Sequence, residues 1–132
     1  MTIPQIQQVA AIADPSLKLA WTAAYAADDR KAVDICLLDV TGVSYLTDYF
    51  VIVTGLSKTQ VRAIYQAVEE AAQTHCQRQP QHTEGQDNCS WVLMDYGDVI
   101  VHIQLPKERQ YYNLEAFWGH ARRIPFEPLV TT

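Results

Sequence analysis

The sequence predicts an α/β (α+β) domain: a mixed β-sheet of about five strands flanked by helices. Three observations carry this. Two short β-rich runs, DICLLDV and YFVIVT, are apolar on both faces and suit strands covered on two sides. Two longer stretches, Leu17 to Asp28 and Ser57 to Gln77, carry apolar residues at helical spacing. Between them and the end lies WVLMDYGDVIVHIQL, which reads as a hairpin. A chain of 132 residues is most simply one domain. Residues 1–15 read as a flexible lead-in, 16–120 as the domain, and 121–132 as an irregular tail marked by Pro125 and Pro128.

Taken in order, Ser16 is placed to cap the first helix, whose stripe is Leu17, Ala20, Trp21, Ala24, Tyr25 and Asp28. Asp34 to Val40 is the first strand, ended by Thr41-Gly42, and Tyr49 to Thr54 is the second. Gly55 opens the turn into the next helix. Ser57 and Gln60 match a capping box, and Val61, Ile64, Tyr65, Val68 and Ala72 mark the buried face. Pro80 stops the helix from continuing. Gln81 to Glu84 is a short strand, and Pro106 ends the last strand of the hairpin. Lys107 to Tyr112 and Leu114 to Trp118 are helical turns, with Tyr112, Phe117 and Trp118 the candidates for docking the last helix onto the sheet, Phe117 foremost.

The hairpin carries the most information. With Gly97-Asp98 as a two-residue loop, Tyr96 faces Val99, Leu93 faces His102 and Trp91 faces Gln104. Side chains alternate across a sheet. One face then holds Val92, Met94, Tyr96, Val99, Val101 and Ile103, a core face. The other holds Trp91, Leu93, Asp95, Ile100, His102 and Gln104, large apolar groups mixed with polar ones. That face is either a second core or a surface for a partner.

Composition narrows the function. The net charge of −5 argues against sequence-independent nucleic-acid binding, which rests on clustered Lys and Arg. Three cysteines form no framework and fit reduced thiols, so a cytoplasmic setting is expected. No stretch approaches the ~20 apolar residues that span a bilayer, so no membrane role is expected. His75, Cys76, His82 and Cys89 match no zinc spacing, and no cofactor is expected. Thr54-Gly55-Leu56-Ser57 lies between strand and helix as in nucleotidyltransferases, but it is no phosphate-binding loop. Nucleotidyl transfer also needs paired carboxylates for Mg²⁺, and Asp95 and Asp98 are separated by a turn. No enzyme activity is expected. The last third is instead rich in aromatics: Trp91, Tyr96, Tyr111, Tyr112, Phe117 and Trp118.

Three runs together are specific: DICLLDVTGVSYLTDYFVIVTGLS, EGQDNCSWVLMDYGDVIVHI and YYNLEAFW. Through them, about two-thirds of the chain, Asp34 to Trp118, resembles the ribosomal silencing factor family (RsfS, or Iojap-like). The resemblance implies a sheet flanked by helices, distantly like nucleotidyltransferases but without their catalytic acids. It implies binding to the large ribosomal subunit through its fourteenth ribosomal protein. That would block joining of the small subunit and repress translation when nutrients are short. Organellar relatives assist large-subunit assembly, and free members self-associate, which allows a homodimer. No direct sequence-specific contact with nucleic acid is implied. The family's partner-binding tryptophan maps onto Trp91. Around it the expected patch takes in Leu93, Asp95, Asp98, His102 and Tyr112, with Glu84 as a charged rim. Val92 joins on adjacency alone, since the register puts it on the core face. An assembly factor and a divergent nucleotidyltransferase remain as alternative readings.

Overall fold

The computed structural model describes residues 9–126. The first helix, α1 (Pro15–Asp29), starts two residues earlier than its sequence suggests. Asp14, not Ser16, is the cap: its Oδ1 accepts the Ser16 amide at 3.0 Å. Pro15 lies in the first turn, where its preset φ favours the helix and its missing N–H costs nothing. The expected lead-in therefore ends inside the fold, and Val9 is already buried. Residues 1–8, most of that lead-in, lie outside the described residues.

The buried face of α1 is also wider than predicted. Leu19, Ala20, Thr22, Ala23, Ala24, Ala26 and Ala27 are all buried. Alanine leaves room for close approach on two sides, so α1 packs against both the sheet and the second helix. Trp21 and Tyr25 sit half-buried at the edge of this helix. There Phe126 closes on them, with ring centroids 5.8 and 5.2 Å away.

Strand β1 (Val33–Asp39) pairs antiparallel with β2 (Tyr49–Thr54), with an irregularity between Val33 and Cys36 where Asp34 has φ 51°. Helix α2 (Lys58–Cys76) begins as the sequence predicts: Ser57 Oγ accepts the Gln60 amide at 3.1 Å. Gln60 reaches back to the Leu56 amide at 2.6 Å rather than to the cap's own N–H. Its Nε2 also donates to the carbonyls of Arg30 and Lys31, tying α2 to the corner before β1. Val61, Ile64, Val68 and Ala72 are buried as expected, and Tyr65 is half-buried.

Strands β3 (His82–Glu84), β4 (Trp91–Asp95) and β5 (Val99–Gln104) follow. Trp91 pairs with Gln104, Leu93 with His102 and Asp95 with Ile100, which is the predicted register. The Tyr96 amide donates to the Val99 carbonyl at 2.9 Å across the turn, and Gly97 takes φ +92°. A side chain at Gly97 would meet the Gln81 amide as well as the strain of that φ. Two short helices, α3 (Pro106–Tyr112) and α4 (Leu114–Phe117), meet at Asn113, whose left-handed φ of 44° turns one into the other.

Arg122–Ile124, inside the segment expected to be irregular tail, form a further strand, β6, antiparallel to β1. Among the described residues the sheet thus has six strands in the order β3-β4-β5-β2-β1-β6, with β2 and β5 its parallel neighbours. Residues 127–132 of the expected tail lie outside the described residues. The main core fills the face under α1 and α2, where Val92, Met94, Tyr96, Val99, Val101 and Ile103 are buried together. A smaller core lies on the opposite face: Cys36, Leu38, Val40, Phe50 and Ile52, covered by Leu114, Trp118 and Ala121.

Candidate docking surface

That opposite face is the mixed face of the hairpin, and it is neither all core nor all open. Register sets out two rows across it. One runs Ile52, His102, Leu93, Glu84, and the next runs Phe50, Ile100, Asp95, His82. Along each row burial falls from β2 outward. Ile52 and His102 are buried, Leu93 is half-buried and Glu84 is exposed; Phe50 is buried, Ile100 and Asp95 are half-buried and His82 is exposed. The reason is placement of α4. Trp118 packs on Phe50 with its ring tilted, centroids 5.3 Å apart, and covers the β1–β2 half of the face. Among the described residues no helix covers the β4 half.

Trp91 stands where the cover stops. Its indole is half-buried, with the Tyr112 ring 4.8 Å away and the His102 ring 5.8 Å away. Its Nε1–H donates to His102 Nδ1 at 3.0 Å. Tyr112 is 51% exposed and in turn meets Tyr111, 79% exposed, edge-on at 4.9 Å. The result is an aromatic corner beside a half-apolar strip of Leu93, Ile100 and Asp95. Such a corner suits a protein interface, where aromatic rings give large contact area at small entropic cost. Tyr111 was visible in the sequence only as one of a crowd of aromatics; a seven-residue helix shows too little periodicity to place it.

The structure corrects part of the expected patch. Val92 is 0% exposed on the core face and cannot touch a partner. His102 is 5% exposed and acts beneath Trp91 rather than beside it. Asp98 is engaged internally: Arg78 Nη2 grips its Oδ1 at 2.6 Å, and Ser16 Oγ donates to its Oδ2. Burial alone would raise this carboxyl, but the hydrogen bonds and charge of Arg78 and Ser16 hold it below its ordinary range. Phe117, expected to dock, is 76% exposed, and its neighbour Trp118 docks instead. Trp91, Leu93, Asp95, Tyr112 and the rim residue Glu84 do lie on or beside the open half. Glu84 also pairs with His82 at 2.9 Å, an exposed contact of small energetic weight.

Arg109 had no sequence signal beyond its charge, yet it fixes the corner. Its side chain is 10% exposed, and the guanidinium binds both Glu115 oxygens at 2.7 and 3.1 Å, Thr54 Oγ1 at 2.8 Å and the Asp34 carbonyl at 2.6 Å. Hydrogen bonds from Arg109 hold the Glu115 carboxyl below its usual range. One side chain therefore clamps α3, and with it Tyr111 and Tyr112, to the ends of β1 and β2. Arg109→Met should cost about 2 kcal/mol, because it strands the partly buried Glu115 and frees α3. Urea unfolding checks the loss; a midpoint unchanged from wild type would show that the clamp is idle.

His102 gives the site a pH signature. Burial pushes its imidazole down from 6.5 to about 4. A chain that unfolds between pH 6.5 and 5 takes up a proton that the folded state refuses, so stability falls as pH drops through that window. The slope from this group is at most about 1.4 kcal/mol per pH unit. Unfolding series at pH 6.5, 6.0, 5.5 and 5.0 should be steeper for wild type than for His102→Leu. Equal slopes would contradict the assignment.

The arrangement does not favour nucleotide chemistry. The Gly55 amide donates to the Gln104 carbonyl, Leu56 to Gln60 and Gln60 to Ser57, so these donors at the α2 start are spent inside the fold. Gly55 is explained by packing, since a Cβ there would meet Val61 at 2.8 Å. Asp95 caps the Gly97 amide at 2.7 Å, while Asp98 turns to Arg78, so the two carboxylates hold no common site. No helix among the described residues is long and apolar enough to cross a membrane.

The family described as "Ribosomal silencing factor during starvation" matches residues 13–132. The ribosomal silencing factor RsfS of Bacillus subtilis is 46% identical over 99 residues, covering 75% of this chain and 83% of that protein. The mouse protein named mitochondrial assembly of ribosomal large subunit protein 1 is 35% identical over 91 residues, covering 67% of this chain and 40% of its own length. A crystal structure from Bacillus halodurans superposes with a TM-score of 0.72 at 36% identity, covering 83% of this chain and 99% of that one. The chain belongs to the ribosomal silencing factor (RsfS, Iojap-like) family.

Proposed function

We propose that this chain is a non-enzymatic translation repressor. In this reading it binds the large ribosomal subunit through the fourteenth ribosomal protein and, by its bulk, keeps the small subunit from joining. The observation that carries the reading is the aromatic corner of Trp91, Tyr112 and Tyr111 next to the uncovered β4 half of the sheet. Membership of a family described by ribosomal silencing during starvation supports the direction of the effect. An acidic chain of net charge −5 also suits a basic ribosomal partner, since complementary charge speeds encounter. Steric exclusion needs no chemistry, which fits a face built for contact. The site of action is then the cytoplasm, and two free copies could bury the same corner against each other.

The test is subunit joining. Purified subunits are mixed with and without the protein, and joined ribosomes are separated from free subunits by sedimentation. The protein should keep subunits apart and travel with the large one. Unimpeded joining with no protein on the large subunit would end the proposal. The name of the mouse relative favours a second reading, help with large-subunit assembly through the same surface. Accumulated large-subunit precursors in a deletion strain would favour assembly; excess joined ribosomes in starved cells would favour repression.

A further inference from the structure

The role of His102 is open once burial removes it from the contact surface. We infer that His102 is a positioning residue for partner docking: it holds the Trp91 indole in its binding pose through the Nε1–H to Nδ1 hydrogen bond, 3.0 Å long. The inference rests on the docking reading and names the residue through which that surface is set.

Three observations lead to it. First, His102 is 5% exposed, so any effect on a partner passes through a neighbour. Second, its imidazole is lodged against the Phe50 ring at 5.4 Å, part of the smaller core. The acceptor is thus fixed by the core, not by the site. Third, the strand partner of Trp91 is Gln104, and His102 lies two residues away on β5. The indole therefore leans along the sheet, away from its direct neighbour and over the Leu93–His102 pair, with Tyr112 on its flank at 4.8 Å. A half-exposed indole without this bond could turn about two side-chain torsions. Held at its N–H and along its ring, it meets a partner already ordered, and less freedom is lost on binding. Burial keeps the imidazole neutral at physiological pH, so its Nδ1 lone pair is available and the ring proton sits on Nε2.

The substitutions follow from atom positions. His102→Leu removes the acceptor and keeps an apolar filling. His102→Asn keeps an oxygen on Cγ, where Nδ1 stood. His102→Gln carries its oxygen one bond farther out, and it replaces the leucine variant if that one fails to fold. Two readouts are taken on the full chain. The ¹⁵N–¹H resonance of the Trp91 indole, identified by its loss in Trp91→Ala, should move and exchange faster with solvent in His102→Leu, and return toward wild type in His102→Asn. Affinity for isolated large subunits should fall about three- to tenfold in His102→Leu, the worth of one such hydrogen bond, and recover in His102→Asn. In a Trp91→Ala background the same change should cost less than about twofold, because residues acting as a unit are non-additive.

An indole resonance that ignores His102→Leu would overturn the positioning role. So would an equal loss of affinity with and without Trp91. A wild-type chain that binds no large subunit would overturn the docking reading and the positioning role together, whereas binding with an unchanged resonance would overturn positioning alone.

Discussion

Trp91→Ala is expected to weaken retention on isolated large subunits about thirtyfold, the ~2 kcal/mol of an interface hot spot. The reasoning is geometric. Trp91 is a large ring on the mixed face that is neither sunk in a core nor loose in solvent, and it is buttressed by Tyr112 at 4.8 Å and His102 beneath. Truncation removes its contact area and leaves the His102 acceptor without its donor. The fold should suffer less than binding, because the main core lies on the other face. Sedimentation with large subunits at a series of protein concentrations measures the change, and thermal unfolding checks that the variant is intact. Retention equal to wild type would remove Trp91 from the contact surface.

Gly85→Ala should cost about 2–5 kcal/mol of stability, through two separate effects. Gly85 has φ +87°, where any residue with a Cβ loses about 1–2 kcal/mol. A Cβ there would also overlap the Trp91 carbonyl oxygen and sit 3.0 Å from its carbon. Relieving that overlap forces backbone shifts worth about 1–3 kcal/mol more. The connection has no slack to absorb it: the Gly85 carbonyl accepts the Cys89 amide at 2.8 Å, and Cys89 itself has φ 58°. The displaced residue would be Trp91, so the folded fraction should also bind large subunits less well. A melting temperature within two or three degrees of wild type would show that the loop reorganises freely. A loss of this size should lower the melting temperature by about 7–18 °C.

Much of the fold was legible because local rules and global pattern agreed. The Gly97-Asp98 turn set the hairpin register, and strict alternation then sorted Val92 from Leu93 and Val101 from His102. Ser57 and Gln60 marked the start of α2 by a chemistry that sequence displays directly. The failures have physical causes. Ser16 and Asp14 are both able caps, and Pro15 between them decided the matter by fixing the first turn. Alanines have no sidedness, so the stripe drawn through Trp21 and Tyr25 missed that α1 is buried on two sides. Arg122–Ile124 is three residues long, too short to show a period of two. For the candidate docking surface, the register and the mixed face were readable. Which half of that face stays open was not, because it depends on where Trp118 rather than Phe117 lands, and four residues of α4 cannot announce that. Arg109 was invisible for a related reason: its partners Thr54, Asp34 and Glu115 converge only in three dimensions.

The way the sheet ends has a consequence for how this chain meets others. Both terminal strands, β3 and β6, are only three residues long. Each carries charge, with Glu84 beside His82 on one and Arg122 and Arg123 on the other. Long apolar edges invite another chain to add a strand, and short charged ones discourage it. Association by sheet extension is thereby disfavoured at both ends, which protects a chain with so aromatic a surface from stacking into aggregates. On the proposed docking reading, contact is then left to side chains on the face, where shape and ring placement would select the partner.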